Sequence, residues 1–178
     1  MNLSLYNEVF EINSVSTHFE LNTQKSIINS KRVVISTGFY DIPYLLNVPG
    51  EDKEKVLHYY NESHPYYKMD IAIVGAGNSA VDAALDTFRK GAKSVTMIIR
   101  EKEIGKNIKY WVRPDIINRI DSGEIKVLYE SEIKEIKENS IIIDVKGRSK
   151  EMKNDFVLAM TGYCLLYTSP SPRDLHWS

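Results

Sequence analysis

Apolar and polar positions alternate in two distinct rhythms along this chain, and the clearest change from one to the other lies in residues 70–100 (DIAIVGAGNSAVDAALDTFRKGAKSVTMIIR). Residues 71–74 form a short apolar run of strand length, partly β-branched, and Gly75-Ala76-Gly77 follows at once. Apolar residues then recur at Ala80, Val81, Ala84, Leu85 and Phe88, a helical period that begins where the glycines stop. Gly91 falls where such a helix would be capped, and residues 95–99 make a second buried-strand run. The pattern predicts a βαβ unit of about thirty residues.

On either side the rhythm is that of short strands. Residues 8–12, 17–21 and 26–28 alternate partially between Asn, Ser, Thr and Lys punctuation, and the more apolar run 32–35 leads into Ser36-Thr37-Gly38. No helix in this set could cover a sheet face, so these residues read as part of a larger domain. Residues 39–51, with Pro43, Pro49 and Gly50, read as an irregular connection. Residues 53–68 are polar and rich in tyrosine, the pattern of a linker whose aromatics pack against a neighbouring domain. Residues 101–112 look like a loop ending in Tyr110-Trp111, and Pro114 is placed for the first turn of a helix through Ile120 that Gly123 ends. A strand is expected over 125–129, then a meander of short alternating strands over 131–137, 140–145 and 149–153. Residues 156–160 are apolar and end in Thr161-Gly162, an echo of Ser36-Thr37-Gly38 that suggests two nucleotide-binding halves. The end of the chain, 164–178, is rich in proline and serine without periodicity, so on composition it is a disordered tail.

The glycine string carries the candidate chemistry. A G-x-G-x-x-G/A string between a strand and a helix places Gly75 in the tight turn and Gly77 where backbone can approach a pyrophosphate. Ala80 in the third position keeps helix and strand close, and the unpaired N–H groups at the helix start, with the positive end of the dipole, hold phosphate. The candidate cofactor-binding residues here are Gly75, Ala76, Gly77, Asn78, Ser79 and Ala80, with Thr37, Gly38, Thr161 and Gly162 added by the echo. A βα turn that uses glycine for geometry alone is the competing reading, and the complete βαβ context favours nucleotide. Arg100 ends the second strand, where NAD-preferring folds place an acid and where an arginine suits the 2′-phosphate of NADP. Glu101 follows it, while Lys102 and Lys106 add positive charge. NADPH is therefore expected over NADH.

Composition narrows the classes. With 178 residues, 26% of them charged, and a formal net charge of −1, the chain has no run of one sign that would suggest nucleic acid or a membrane surface as partner. No apolar run approaches the roughly 20 residues of a membrane span, and the chain reads as cytosolic. Cys164 is the only cysteine, and His58 and His64 stand six apart with no well-placed acid partner, so no metal site is expected.

GFYDIPYLLNVPGED, HYYNESHPYYK, GAGNSAVDAAL and FVLAMTGY, in this order, resemble the thioredoxin-reductase-like flavoproteins, most of all the bacillithiol-disulfide reductase (YpdA-like) family, over about residues 1–163. The resemblance implies an α/β protein: a Rossmann-like NADPH-binding domain, with a parallel sheet, helices and a β-meander, joined to part of a split FAD-binding domain. Residues 1–52 would then be the later part of the first FAD half, with Thr37 and Gly38 near the flavin. Residues 53–68 would be the interdomain linker and 69–163 the NAD(P)H-binding domain. NADPH and FAD would be the cofactors, a small-molecule disulfide the substrate, and the parent a homo-oligomer. The Cys-x-x-Cys of thioredoxin reductases would fall on His58 and Asn61, as expected for the bacillithiol group, whose redox cysteine lies near a first FAD glycine motif not found in this chain. The His-Arg-Arg signature after the second strand is reduced to Ile99-Arg100-Glu101. Residues 164–174 (CLLYTSPSPRD) resemble translated sequencing adapter. The expectation is an inactive internal fragment without catalytic residues of its own. Rival readings are a flavin-dependent monooxygenase and a non-catalytic NAD(P)-sensing module on the same fold.

Overall fold

The computed structural model describes residues 3–36 and 42–163. Thr37, Gly38 and the tail beginning at Cys164 lie outside the described residues. The chain divides into two compact units, Met1–Gly38 and Phe39–Ser178.

In the first unit, β1 (Val9–Val15), β2 (His18–Thr23) and β3 (Ile27–Ser30) form an antiparallel meander. A tight turn pairs Val15 with His18, and the next turn is closed by the Thr23 hydroxyl, which donates to the Ser26 carbonyl at 2.6 Å. Residues 32–35 were expected to be a fourth strand and are not. Among the described residues no strand pairs with them, and without a ladder Val34 and Ile35 stay exposed and Val33 only half-buried.

The second unit is built on a five-stranded parallel sheet. Its strands are β4 (Val56–Leu57), β5 (Asp70–Val74), β6 (Ser94–Ile98), β7 (Lys126–Leu128) and β11 (Phe156–Ala159), in the order β4-β11-β5-β6-β7. Helix α1 (Asn78–Arg89) connects β5 to β6, and α2 (Arg113–Asp121) precedes β7. The strands β8 (Ser131–Ile136), β9 (Ser140–Val145) and β10 (Arg148–Lys153) form a separate antiparallel sheet.

Both faces of the parallel sheet are covered, and the period of two assigns each side chain its layer. Ile71 and Ile73 of β5, Val95 and Met97 of β6 and Leu158 of β11 share a core with Val81, Ala84 and Leu85 of α1 and Ile116 of α2. Ala72, Val74, Ile98 and Val157 project the other way and pack against Ile133, Ile136, Ile141 and Ile143 of the meander. Helices, parallel sheet and meander are thus three layers. Each buried Ile or Val side chain contributes about 1.5–3 kcal/mol.

Residues 42–57 belong to this unit by packing. Leu46 and Val48 lie against the meander core, and the Pro49 carbonyl accepts the Ile136 N–H at 2.8 Å. The structural division at Gly38/Phe39 therefore precedes the boundary at residue 52 drawn from sequence. Residues 53–68 carry β4 and a single 3-10 turn (His64–Tyr66). Two of the aromatics of this stretch dock inward, while Tyr59 and Tyr67 stay exposed: Tyr66 is buried edge-on to Phe156, and the Tyr60 hydroxyl donates to Asp86 at 2.5 Å. Burial, then that bond, raises the Tyr60 pKa well above the ordinary value for a phenol.

Candidate functional site

The chain runs outward through β5, β6 and β7, then returns on the other side of β5 to form β11. Such a reversal opens a crevice at the carboxyl ends of the strands. Here that crevice is a cleft of about 480 Å³, floored by Val74, Ile98 and Met160, the residues at or just past the ends of β5, β6 and β11.

The glycine turn forms its back wall. Gly75 has φ +130°, and a Cβ at this position would lie 2.5 Å from the Met160 carbonyl oxygen, so any side chain would be both strained and in collision. Ala80 is fully buried directly behind the turn, where a larger residue would push the helix off the strand. Gly77 differs: nothing lies within 4 Å of where its Cβ would be, and it is the N-cap of α1 without any side-chain cap. The first-turn N–H groups thus open onto the cleft with room for a ligand, and the helix dipole makes this end electropositive. A dinucleotide pyrophosphate fits such a cradle.

Of the residues singled out from sequence, Gly75, Ala76, Gly77, Asn78, Ser79, Arg100, Thr161 and Gly162 all line the cleft. Ala80 sits behind it, and Lys102 is exposed outside it, whereas Lys106 is on the lining. Thr37 and Gly38 lie outside the described residues. Arg100 is exposed and makes no hydrogen bond or ion pair among the described residues. Its guanidinium is therefore available to an anion. Two of these lining residues also hold the walls of the cleft together. The Asn78 side chain spans to the loop after β6, donating to the Asn107 carbonyl (3.2 Å) and accepting the Lys109 N–H (2.9 Å). The Thr161 hydroxyl donates to the Tyr44 carbonyl at 2.5 Å, and Tyr44 N–H returns a bond to the Gly162 carbonyl at 3.0 Å.

Gly105, Asn107 and Tyr163 also line the cleft, and sequence reasoning did not single them out. Tyr163 stacks on Tyr59 with ring centroids 5.4 Å apart and donates its hydroxyl to the His58 carbonyl at 3.1 Å. Nothing in a lone tyrosine after Thr161-Gly162 marks that role. The glycine at 105 was a weak hint: its N–H donates to the Ala76 carbonyl at 3.2 Å, and a Cβ there would meet the same oxygen at 2.8 Å. Among the described residues no cluster of His, Cys, Asp and Glu could hold a metal, and no helix is long and apolar enough to cross a membrane.

Sheet order, glycine turn and cleft together define a dinucleotide-binding α/β protein. Comparison with known proteins narrows the class. The chain belongs to the pyridine nucleotide-disulphide oxidoreductase family, whose model matches residues 1–168. It is 39% identical to the bacilliredoxin reductase Bdr of Bacillus subtilis (strain 168) over 148 residues, 82% of this chain and 45% of that protein. Among solved structures it is similar to bacillithiol disulfide reductase Bdr (YpdA) from Staphylococcus aureus (TM-score 0.85, 34% identity), covering 92% of this chain and 50% of that one. The corresponding protein from Bacillus cereus gives a TM-score of 0.83 and 38% identity, covering 90% of this chain and 51% of that one. The chain spans about half the length of these relatives. Members of this family use FAD and NADPH.

Proposed function

We infer that the second unit binds NADPH for a flavin-dependent reductase whose substrate is a small-molecule disulfide of the bacillithiol type. The observation that carries this reading is the uncapped start of α1, open in front of Gly77 and sharing its cleft with the exposed Arg100. Backbone N–H groups of the glycine turn and α1 would hold the pyrophosphate, and Arg100 the 2′-phosphate. The nicotinamide supplies a hydride; the protein's part is to bind and orient it. Residues 1–52, which the structure divides at Gly38/Phe39, are assigned to the FAD side, with Thr37 and Gly38 near the flavin, and residues 69–163 to NADPH. The parent is taken to be a cytoplasmic homo-oligomer. The similarity to the Bdr proteins supports the substrate class.

Titration of NADPH and NADH into this chain tests the cofactor half: saturable binding tighter for NADPH is expected, and no binding of either defeats the reading. For the full-length parent, NADPH oxidation should depend on added bacillithiol disulfide. Oxidation that proceeds equally well with oxygen alone would favour the monooxygenase instead.

A further inference from the structure

The loop between β6 and α2 is not free to choose its place. Ile104 and Ile108 are buried in the helix-side core, and the N–H of Gly105 donates to Ala76 within the glycine turn. The Arg113 guanidinium donates to the Gly105 carbonyl at 3.0 Å, and the Lys109 ammonium pairs with Asp82 on the next turn of α1 at 2.9 Å. The two Asn78 bonds complete the attachment. Between these anchors Lys106 stands on the cleft lining, with its side chain 83% exposed and only a 3.6 Å contact to Glu103.

We propose that Asn78 is a positioning residue for cofactor specificity: its bridge from the first turn of α1 to residues 107 and 109 keeps Lys106 on the lining of the cleft that Arg100 also lines, so that both cations can serve the 2′-phosphate. The idea rests on the NADPH reading above. An amide is suited to this task because one side chain must donate to a carbonyl and accept from an N–H at once. Serine or alanine cannot do both at that reach. Lys106 gains little from Glu103, since exposed pairs of this kind contribute at most about 1 kcal/mol. Its position therefore depends on the loop, and Asn78 supplies the two side-chain ties that hold residues 107 and 109 to the start of α1.

The test is a double-mutant cycle on the 178-residue chain, with NADPH and NADH titrated into wild type, Asn78→Ala, Lys106→Ala and the double variant. Each single change is expected to lower the NADPH-over-NADH preference by up to about fivefold, the range for one charge pair at an open site. The double variant should lose no more than either single one, because both remove the same cation from the same place. Asn78→Ser, which keeps a small polar residue at the helix start, replaces the alanine variant if that one does not fold. Equal weakening of both cofactors by Asn78→Ala, with wild-type NADPH binding intact, overturns the positioning role and leaves the cofactor reading standing. Additive losses overturn it as well. A wild-type chain that binds neither nucleotide removes the reading and this inference together.

Discussion

The two units of this chain carry similar proportions of β-branched and aromatic residues and use them in opposite ways. In the second unit, residues of β5, β6 and β11 are closed on both faces, and Ile71, Ile73, Met97 and Leu158 are almost wholly out of water. In the first, no described residue is buried: Val9, Phe10 and Ile12 of β1 and Ile27 and Ile28 of β3 all remain exposed. A three-stranded meander has two faces and, within its own unit, no layer to cover either. The hydrophobic effect follows area removed from water rather than apolar content, so equal sequences in this sense do not give equal stability.

The most forceful way to break the comparison is to cut matched side chains from each unit. Ile73→Ala should cost about 2–5 kcal/mol, because it leaves a cavity between two packed layers. Ile12→Ala should change stability by no more than about 0.5 kcal/mol. Chemical denaturation of the two variants checks this, and a comparable loss from Ile12→Ala would show that the meander has a hidden core.

Ligand linkage sharpens the contrast next. NADPH at about a hundred times its Kd should raise the stability of the second unit by about 2.7 kcal/mol, with slower amide exchange in β5, α1 and β6 and none of this in β1–β3. Arg100→Ala should weaken NADPH by one to two orders of magnitude, from the roughly 1.5–3 kcal/mol of a hydrogen bond to a charged group. NADH should hardly change. Calorimetric titration of both cofactors decides it, and equal losses would reduce Arg100 to a structural residue.

The smallest expected effect is acid sensitivity. Asp70, at the start of β5, accepts bonds from Lys93 (2.8 Å) and the Ser94 hydroxyl (2.6 Å), which hold its carboxyl below the ordinary 3.8. A depressed folded pKa stabilises the fold at pH above the unfolded value, and that contribution is lost as pH falls through the folded one. Acid below about pH 4 should therefore weaken the second unit, and Asp70→Asn should remove that part of the slope. The loss at neutral pH should not exceed about 1 kcal/mol, because Lys93 is open to solvent and salt. A variant with an unchanged acid profile would assign the slope to other carboxylates.

Much of the second unit was legible in the chain because its signals are local. The run at 71–74, the helical period from Ala80 to Phe88 and the run at 95–99 became β5, α1 and β6 within a residue or two. Pro114 opens α2 and the alternating runs became β8 to β10. What stayed hidden depends on partners distant in sequence. The two residues of β4 are a strand only because β11 lies beside them, and residues 32–35, apolar enough for a strand, have no such neighbour among those described. At the site, the glycine string showed where phosphate could sit. That Asn78 would be tied to a loop thirty residues on, and Thr161 to Tyr44, was not written in either local pattern.

That last tie has a consequence for how such a unit travels between proteins. Tyr44 and Gly162 lie near the two ends of the described part of the second unit, yet their backbones are joined by a 3.0 Å hydrogen bond, and Pro43 and Tyr163 form an antiparallel bridge. A body whose entry and exit lie side by side can be spliced into a surface turn of a host without prising that turn apart. The closure entropy of the intervening segment is recovered by the unit's own folding, so the host spends little to carry it.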